Sequence, residues 1–436
     1  MWNSAEVAHS PQGREVGASD DRTARRCSQG TEVGHGLHDG TTMRSLELFS
    51  GCGGLAKGLE LAGFEHCAFV EFNKWACKSL RANFNPKLVH EIDVRKFDFS
   101  SVGDVDVVAG GPPCQPFSLG GLSKAHEDSR DMFPEAIRAI HELQPKAFVF
   151  ENVKGLLRKS FSDYFSYIIL RLTYPDFIIL GGRSWREHLD ELRKLSFAEY
   201  SGLKYNVQYK LVNAVDYGVP QNRERVFIVG FRNDVPAKWK WPTMTPCRRT
   251  IADTIGHLQS TKPHEFPEDH KIILGAREYP GHSGSNYNLP SKTIKAGAHG
   301  VPGGENMIRF PDGTLRYMTV HEAKLIQTFP SDYTICGGWG EAMRQIGNAV
   351  PVKLAETVGR SILEAIGGVR SVATNYSLHR PKAEQLRLAI ERRNKKYTGM
   401  ATGKARAAKK ATKKNVRKKP VAKRPKSVKT RYGRHG

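Results

Sequence analysis

Residues 46–55 read Leu46-Glu47-Leu48-Phe49-Ser50-Gly51-Cys52-Gly53-Gly54-Leu55, and what stands on either side of the glycines decides the fold. Before them a short apolar run predicts a strand over 46–49; after them Leu55, Leu59 and Ala62 fall on one helical face. A strand that turns through glycines into a helix lets a ligand come close to the backbone and to the helix N-terminus. The alternation continues down the chain. A second strand is expected at 68–70 and a helical stripe at Phe72, Trp75, Ala76, Leu80 and Phe84. Further strands are expected at 105–109, 147–150 and 226–231, with a helix carrying Ile137, Ile140 and Leu143 between two of them. This is the rhythm of an α/β protein with a doubly wound, mostly parallel sheet.

Outside that core the pattern changes. From 232 to about 315 periodicity fades into Pro, Gly, Ser, Thr and His, which suits a smaller, loop-rich domain. Beyond that stretch, Leu354, Val358 and Ile362 lie on a helix begun near Pro351. Residues 158–205 read as a polar and aromatic insertion in the 43–231 domain. Residues 1–42 are polar and without periodicity, so they are expected to be disordered, with Met43 an alternative start. A linker at 371–400 leads to a low-complexity tail at 401–436, also expected to be disordered.

Charge and cysteine usage narrow the function classes. Fifteen of the 23 net positive charges lie in 401–436, which has no Asp or Glu, leaving +8 for the other 400 residues. The signal for a polyanionic partner is therefore mostly local to the tail. The seven cysteines (27, 52, 67, 77, 114, 247 and 336) include no C-x-x-C pair, which argues against a zinc ribbon or a disulfide framework and for reduced thiols. No metal site is expected. No apolar stretch approaches the roughly 20 residues that span a bilayer, so a cytoplasmic protein without a membrane partner is expected.

Chemistry concentrates at the expected strand ends. Glu71 closes the second strand and Asp93 follows 88–90, where carboxylates reach a ribose and a base edge in an open α/β sheet. Together with the glycine turn they favour a nucleoside-containing cofactor. Gly110-Gly111-Pro112-Pro113-Cys114-Gln115-Pro116-Phe117-Ser118 follows the third long strand, so Cys114 is expected in the crevice with its backbone fixed by prolines, as a nucleophile needs. The next strand delivers Glu151-Asn152-Val153 to the same edge, where a partly buried carboxyl could share a proton with a ring nitrogen. Gln221, Arg223 and Arg225 are spaced by two and project from one face of an extended chain; each arginine could equally pair with a carboxylate.

In this ordered series the chain resembles the DNA (cytosine-5)-methyltransferases of the bacterial restriction-modification type. The matching blocks are Phe-x-Gly-x-Gly-Gly at 49–54, Glu71, Asp93, Pro-Pro-Cys-Gln at 112–115, Glu-Asn-Val at 151–153 and Gln-x-Arg-x-Arg at 221–225. Two more follow, from Arg316 to Pro330 and from Gln345 to Pro351, so the resemblance spans about residues 44–365. It implies an S-adenosyl-L-methionine site lined by Phe49, Gly51, Gly53, Gly54, Glu71, Phe72, Asp93 and Asn348. Phe49 and Phe72 would flank the adenine, Glu71 would take the ribose hydroxyls and Asp93 the adenine amino group. It implies a catalytic set of Cys114, Glu151, Arg225 and Arg223 around a flipped cytosine, and a mobile loop at 120–132. Target recognition would fall to 232–315, and residues 316–370 would return to the catalytic domain of 43–231. The partner is duplex DNA, met by a monomer near the nucleoid, with a cognate restriction endonuclease left open.

Two rival readings differ in what they require. An RNA cytosine methyltransferase of the same family carries a Cys-Phe-Thr signature, and none occurs here. A DNA-packaging protein would account for the basic tail but has no need of Cys114, Glu151 and Arg225 together.

Overall fold

The structure, a computed structural model, describes residues 42–113, 131–177, 184–245, 247–259, 267–278, 280, 283–296 and 306–367. The expected linker, the basic tail and residues 1–41 lie outside these. β1 (Arg44–Leu48) leads through the glycine turn into α1 (Gly54–Ala62), then β2 (Glu65–Glu71) and α2 (Lys74–Asn83). The Asn73 side chain starts α2 by accepting from the Trp75 and Ala76 N–H groups at 3.0 and 3.1 Å, as an N-cap does. β3 (Val89–Glu91), β4 (Val107–Gly110), α3 (Phe133–Leu143) and β5 (Ala147–Val153) continue the winding. α4 (Ser162–Thr173), α5 (Trp185–Leu192), β6 (Tyr205–Asn213) and β7 (Glu224–Arg232) complete it.

The seven strands form one sheet in the order β3-β2-β1-β4-β5-β7-β6. β1 to β5 run parallel, while β7 is antiparallel to both β5 and β6. The expected doubly wound, mostly parallel sheet is what forms. On one face Leu46, Leu48, Val108, Phe148 and Phe150 pack with Phe133, Ile137 and Ile140 of α3 and Phe165, Ile168 and Leu172 of α4. On the other, Val107, Ala109 and Val149 pack with Leu55 and Leu59 of α1 and with Leu354, Val358 and Ile362 of α9 (Val352–Ala365). Both faces being covered explains the near-continuous apolar runs in the strands.

The stretch 158–205, expected as an insertion, contributes α4 to the first of these cores, so that part is a layer of the fold. Beyond β7 a second sheet of three short strands, β8 (Ser285–Asn286), β9 (Met307–Arg309) and β10 (Leu315–Tyr317), stands in the order β10-β9-β8. α6 (Ile251–Ile255), α7 (Val320–Ile326) and α8 (Trp339–Asn348) complete that region. One apolar cluster joins Ile251, Ile294 and Ile308 to Val320, Ile326 and Ile346, so packing is continuous across residue 315.

Candidate active site

Because β1 to β5 are parallel, their carboxyl ends lie along one edge of the sheet, where the glycine turn follows β1, Glu71 ends β2 and Glu151 lies near the end of β5. The turn after β1 is built on left-handed backbone: Phe49, Gly51 and Gly53 have φ of 53°, 55° and 87°. For Phe49 that is a sparsely populated conformation. A Cβ on Gly53 would stand 2.5 Å from the Tyr333 hydroxyl and 2.8 Å from the Phe84 ring, so only glycine fits. α1 then starts with no side-chain cap and no acidic residue in its first turn, leaving the positive end of its dipole towards the crevice.

Glu71 faces this turn. Its carboxylate accepts from the Gly51 N–H at 2.9 Å and the Asn73 N–H at 2.7 Å. Burial pushes its pKa up and the N–H groups pull it back. Phe72 beside it is 73% exposed, a ring in search of a partner. Asp93 is in the next loop, tied in by the Ile92 N–H to Glu71 carbonyl bond at 3.0 Å. Its carboxylate is already engaged, accepting from Arg95 Nε at 3.0 and 3.1 Å and capping the Arg95 N–H, and the Arg95 hydrogen bond holds it below the usual carboxylate range. Asn348 is exposed at the end of α8, whose following residue Ala349 abuts Gly54. The glycine turn, Glu71 and the loop holding Asp93 are thus linked by hydrogen bonds, and the residues that follow α8 abut the start of α1.

The second half gathers around β5. Glu151 is 8% exposed, and Arg225 Nε lies 2.8 Å from its Oε1. The N–H is not aimed along that line, so the pair is ionic and Oε1 has no aligned hydrogen bond. Asn152, given no role by sequence reasoning, donates from Nδ2 to the Pro112 carbonyl at 2.9 Å and so fastens the Pro-Pro turn to β5. Cys114 and residues 120–130 of the expected loop lie outside the described residues. The chain leaves the sheet edge at Pro113 and is described again from Asp131, and the Met132 N–H donates to the Pro113 carbonyl at 3.0 Å.

Arg223 requires a correction. Its guanidinium is fully buried and donates to the carbonyls of Ile294, Gly347 and Ala349 at 3.1, 2.8 and 2.9 Å. Gln221 is likewise consumed, accepting from the Ile294 N–H and donating to Gln327 Oε1, both at 3.0 Å. The spacing by two is real, but these two side chains are struts between the regions before and after residue 315; only Arg225 reaches Glu151.

A separate open cleft of about 760 Å³ begins at Asn222 and is lined by Arg248, Thr250, Asn286, Lys292 and Arg309 among others. Among the described residues its lining includes three cations and no carboxylate, although Arg248 and Arg309 pair with Asp216 and Glu278.

A family model described as C-5 cytosine-specific DNA methylase matches residues 43–177 and 191–364. The type II methyltransferase M.NgoMIV of Neisseria gonorrhoeae is 35% identical over 334 residues, 74% of this chain and 97% of its own. The type II methyltransferase M.AplI of Arthrospira platensis is 32% identical over 361 residues, 79% and 91% of the two chains. Among solved structures, a variant of Spodoptera frugiperda DNMT2 superposes with a TM-score of 0.51 at 18% identity, covering 74% of this chain and 100% of its own. That last likeness carries the fold alone.

Proposed function

The chain belongs to the C-5 cytosine-specific DNA methylases, and on that premise we propose that it methylates carbon 5 of a flipped cytosine in duplex DNA through a covalent Cys114 adduct. The observation that carries this reading is the Glu151–Arg225 pair at the end of β5, fastened through Asn152 to the turn that leads into Cys114. The cofactor side fits a nucleoside. Glu71 offers a buried carboxylate beside the glycine turn, α1 opens without a cap, and Phe72 leaves a ring free to stack. S-adenosylmethionine, when bound, supplies a methyl group on a sulfonium centre; Asp93 takes part by sharing its carboxylate with Arg95.

The protein's own groups must make carbon 5 reactive. Addition of the Cys114 thiolate to carbon 6 forms a C–S bond and pushes the ring electrons towards carbon 5, while Glu151 shares a proton with N3 and Arg225 offsets charge at O2. Once carbon 5 is methylated, loss of its proton returns the electrons and expels the thiolate. Carbons 5 and 6 are stacked inside a duplex, so the base must leave the helix at a cost of a few kcal/mol. The cation-lined cleft at Asn222 suits a polyanionic strand. Residues 232–315 are assigned target recognition, the sheet domain catalysis, and, after the type II relatives, the chain is placed on the modification side of a restriction system.

Cys114→Ser is the test. A hydroxyl is nearly the same size but a far poorer nucleophile near neutral pH, so turnover on unmethylated duplex DNA should vanish while cofactor binding persists. Duplex carrying 5-fluorocytosine at the target should trap the unsubstituted protein in a complex that survives denaturing gels, because fluorine cannot leave as a proton does. Retention of a tenth of the methylation by Cys114→Ser, or faster methylation of transfer RNA than of duplex DNA, would overturn the reading.

A further inference from the structure

The two ends of the chain around Cys114 are held by more than the Met132–Pro113 bond. Asp131 lies one residue before Met132, and its Oδ1 accepts from the Phe133 N–H at 3.2 Å, at the start of α3. Its Oδ2 accepts from the Tyr164 hydroxyl of α4. Tyr164 is 5% exposed and locked from behind: the Trp185 ring meets it edge-on at 5.2 Å, and Tyr167 lies at 6.0 Å. Tyr167 in turn bonds His188 Nδ1 at 3.1 Å, and His188 Nε2 bonds the Phe177 carbonyl at 3.2 Å. A rigid aromatic wall from the 158–205 stretch therefore ends in one hydroxyl on the carboxylate at the neck.

We propose that Tyr164 is a positioning residue for the methylation reaction: through Asp131 it fixes where the chain re-enters α3, and through Met132–Pro113 and Asn152–Pro112 that fixes the start of the Cys114 segment relative to Glu151. The inference rests on Cys114 being the nucleophile. A buried phenol donating to a carboxylate is a charge-assisted bond, whose loss shifts an equilibrium by roughly tenfold or more. The hydroxyl acts through Asp131. Its removal should loosen the neck without disturbing the cofactor crevice, which is built on β1, β2 and the loop after β3.

The experiment uses the full chain and its Tyr164→Phe, Asp131→Asn and double variants. Single-turnover methyl transfer at saturating DNA and S-adenosylmethionine should fall about tenfold in Tyr164→Phe, with the S-adenosylmethionine Kd unchanged. Asp131→Asn keeps an acceptor for the hydroxyl and should lose less. The double variant should lose no more than Tyr164→Phe alone, as expected for two groups acting as one pair. An unchanged single-turnover rate in Tyr164→Phe, or additive losses in the double variant, would overturn the proposal, as would a lowered Tm with the rate intact. Cys114→Ser run in parallel separates the two failures. If it stays active the nucleophile assignment falls; if it is dead while Tyr164→Phe is normal, only the positioning role falls.

Discussion

Glu47 sits in the middle of β1 with both carboxyl oxygens buried and without a hydrogen bond. Burial alone raises its pKa from 4.5 to about 8. His66 Nδ1 is 4.0 Å away, too far for a hydrogen bond; that ring is bound to Ser45 Oγ and the Ala56 carbonyl, and burial lowers its pKa from 6.5 to about 4. Near pH 7 both groups are therefore neutral in the folded protein. Above 4.5 the unfolded chain has released the Glu47 proton that the folded protein keeps, so rising pH costs stability, by up to about 1.4 kcal/mol per pH unit. His66 works the other way, since the unfolded chain gains its proton below 6.5 and the folded one does not. The two slopes cancel between 4.5 and 6.5, and above that Glu47 acts unopposed until about 8. Denaturant-derived stability should thus decline from pH 6.5 to 8, and Glu47→Gln should flatten the decline; an equal slope in both proteins would refute this account. Glu71 and Glu151 were visible in the sequence because each ends an apolar run, where a carboxylate has somewhere to go. Glu47 is not visible that way. An acid inside a strand reads by period two as solvent-facing, and only the structure shows helices on both faces of β1.

At the level of elements, what was legible followed from repetition. Strand, glycine turn and helix recur with clear periodicity, so β1, α1, β2, α2, β5 and β7 stand within a few residues of where the pattern placed them. β6 was missed although Tyr205, Val207, Tyr209 and Leu211 alternate; it is an edge strand whose outer face is half-exposed, and it follows the aromatic 158–205 stretch that obscured its start. The Arg316 to Pro330 block was legible as a motif but not as a device. In the structure Thr319 caps α7 in a reciprocal box with Glu322, and Arg316 pairs with that buried carboxylate at 2.6 Å, so the block is a helix start locked by charge. The contact between α1 and α9 was legible only as two apolar stripes. Its closeness depends on Gly58, where a Cβ would stand 2.3 Å from the Ala355 Cβ, 2.6 Å from the Glu356 nitrogen and 2.7 Å from the Val352 carbonyl oxygen. Two of these are backbone, which cannot step aside cheaply. Gly58→Ala should destabilise by about 1–3 kcal/mol through overpacking, despite alanine's higher helix propensity, and should weaken S-adenosylmethionine binding because α1 carries the glycine turn. Gly340→Ala in α8, with nothing within 4 Å, is the control and should be neutral or stabilising. Equal melting temperatures for Gly58→Ala and Gly340→Ala would show that the helices adjust.

For the whole molecule the dominant quantity is charge and its uneven placement. The family match ends at residue 364, whereas fifteen of the 23 net positive charges lie in 401–436. The methylation machinery and the strongest electrostatic feature are thus separate in the chain. A segment of lysine and arginine without carboxylates binds phosphates whatever the base sequence, and releases counterions as it does so. Each phosphate neutralised adds about 0.9 to the slope of log affinity against log salt; a tail engaging even a third of its cations would steepen it by roughly 4.5. Deleting 401–436 should therefore weaken non-specific DNA binding at low salt and flatten that slope. The methylated sequence should stay the same, since base reading is assigned to 232–315, and kcat at saturating DNA should not move, since neither Glu151 nor the cofactor crevice is touched. The measurement is binding of full-length and truncated protein to non-cognate duplex over a salt series, with methylation mapped on both. An unchanged slope would mean that the tail makes no phosphate contacts, and a changed target would mean that it takes part in reading the site.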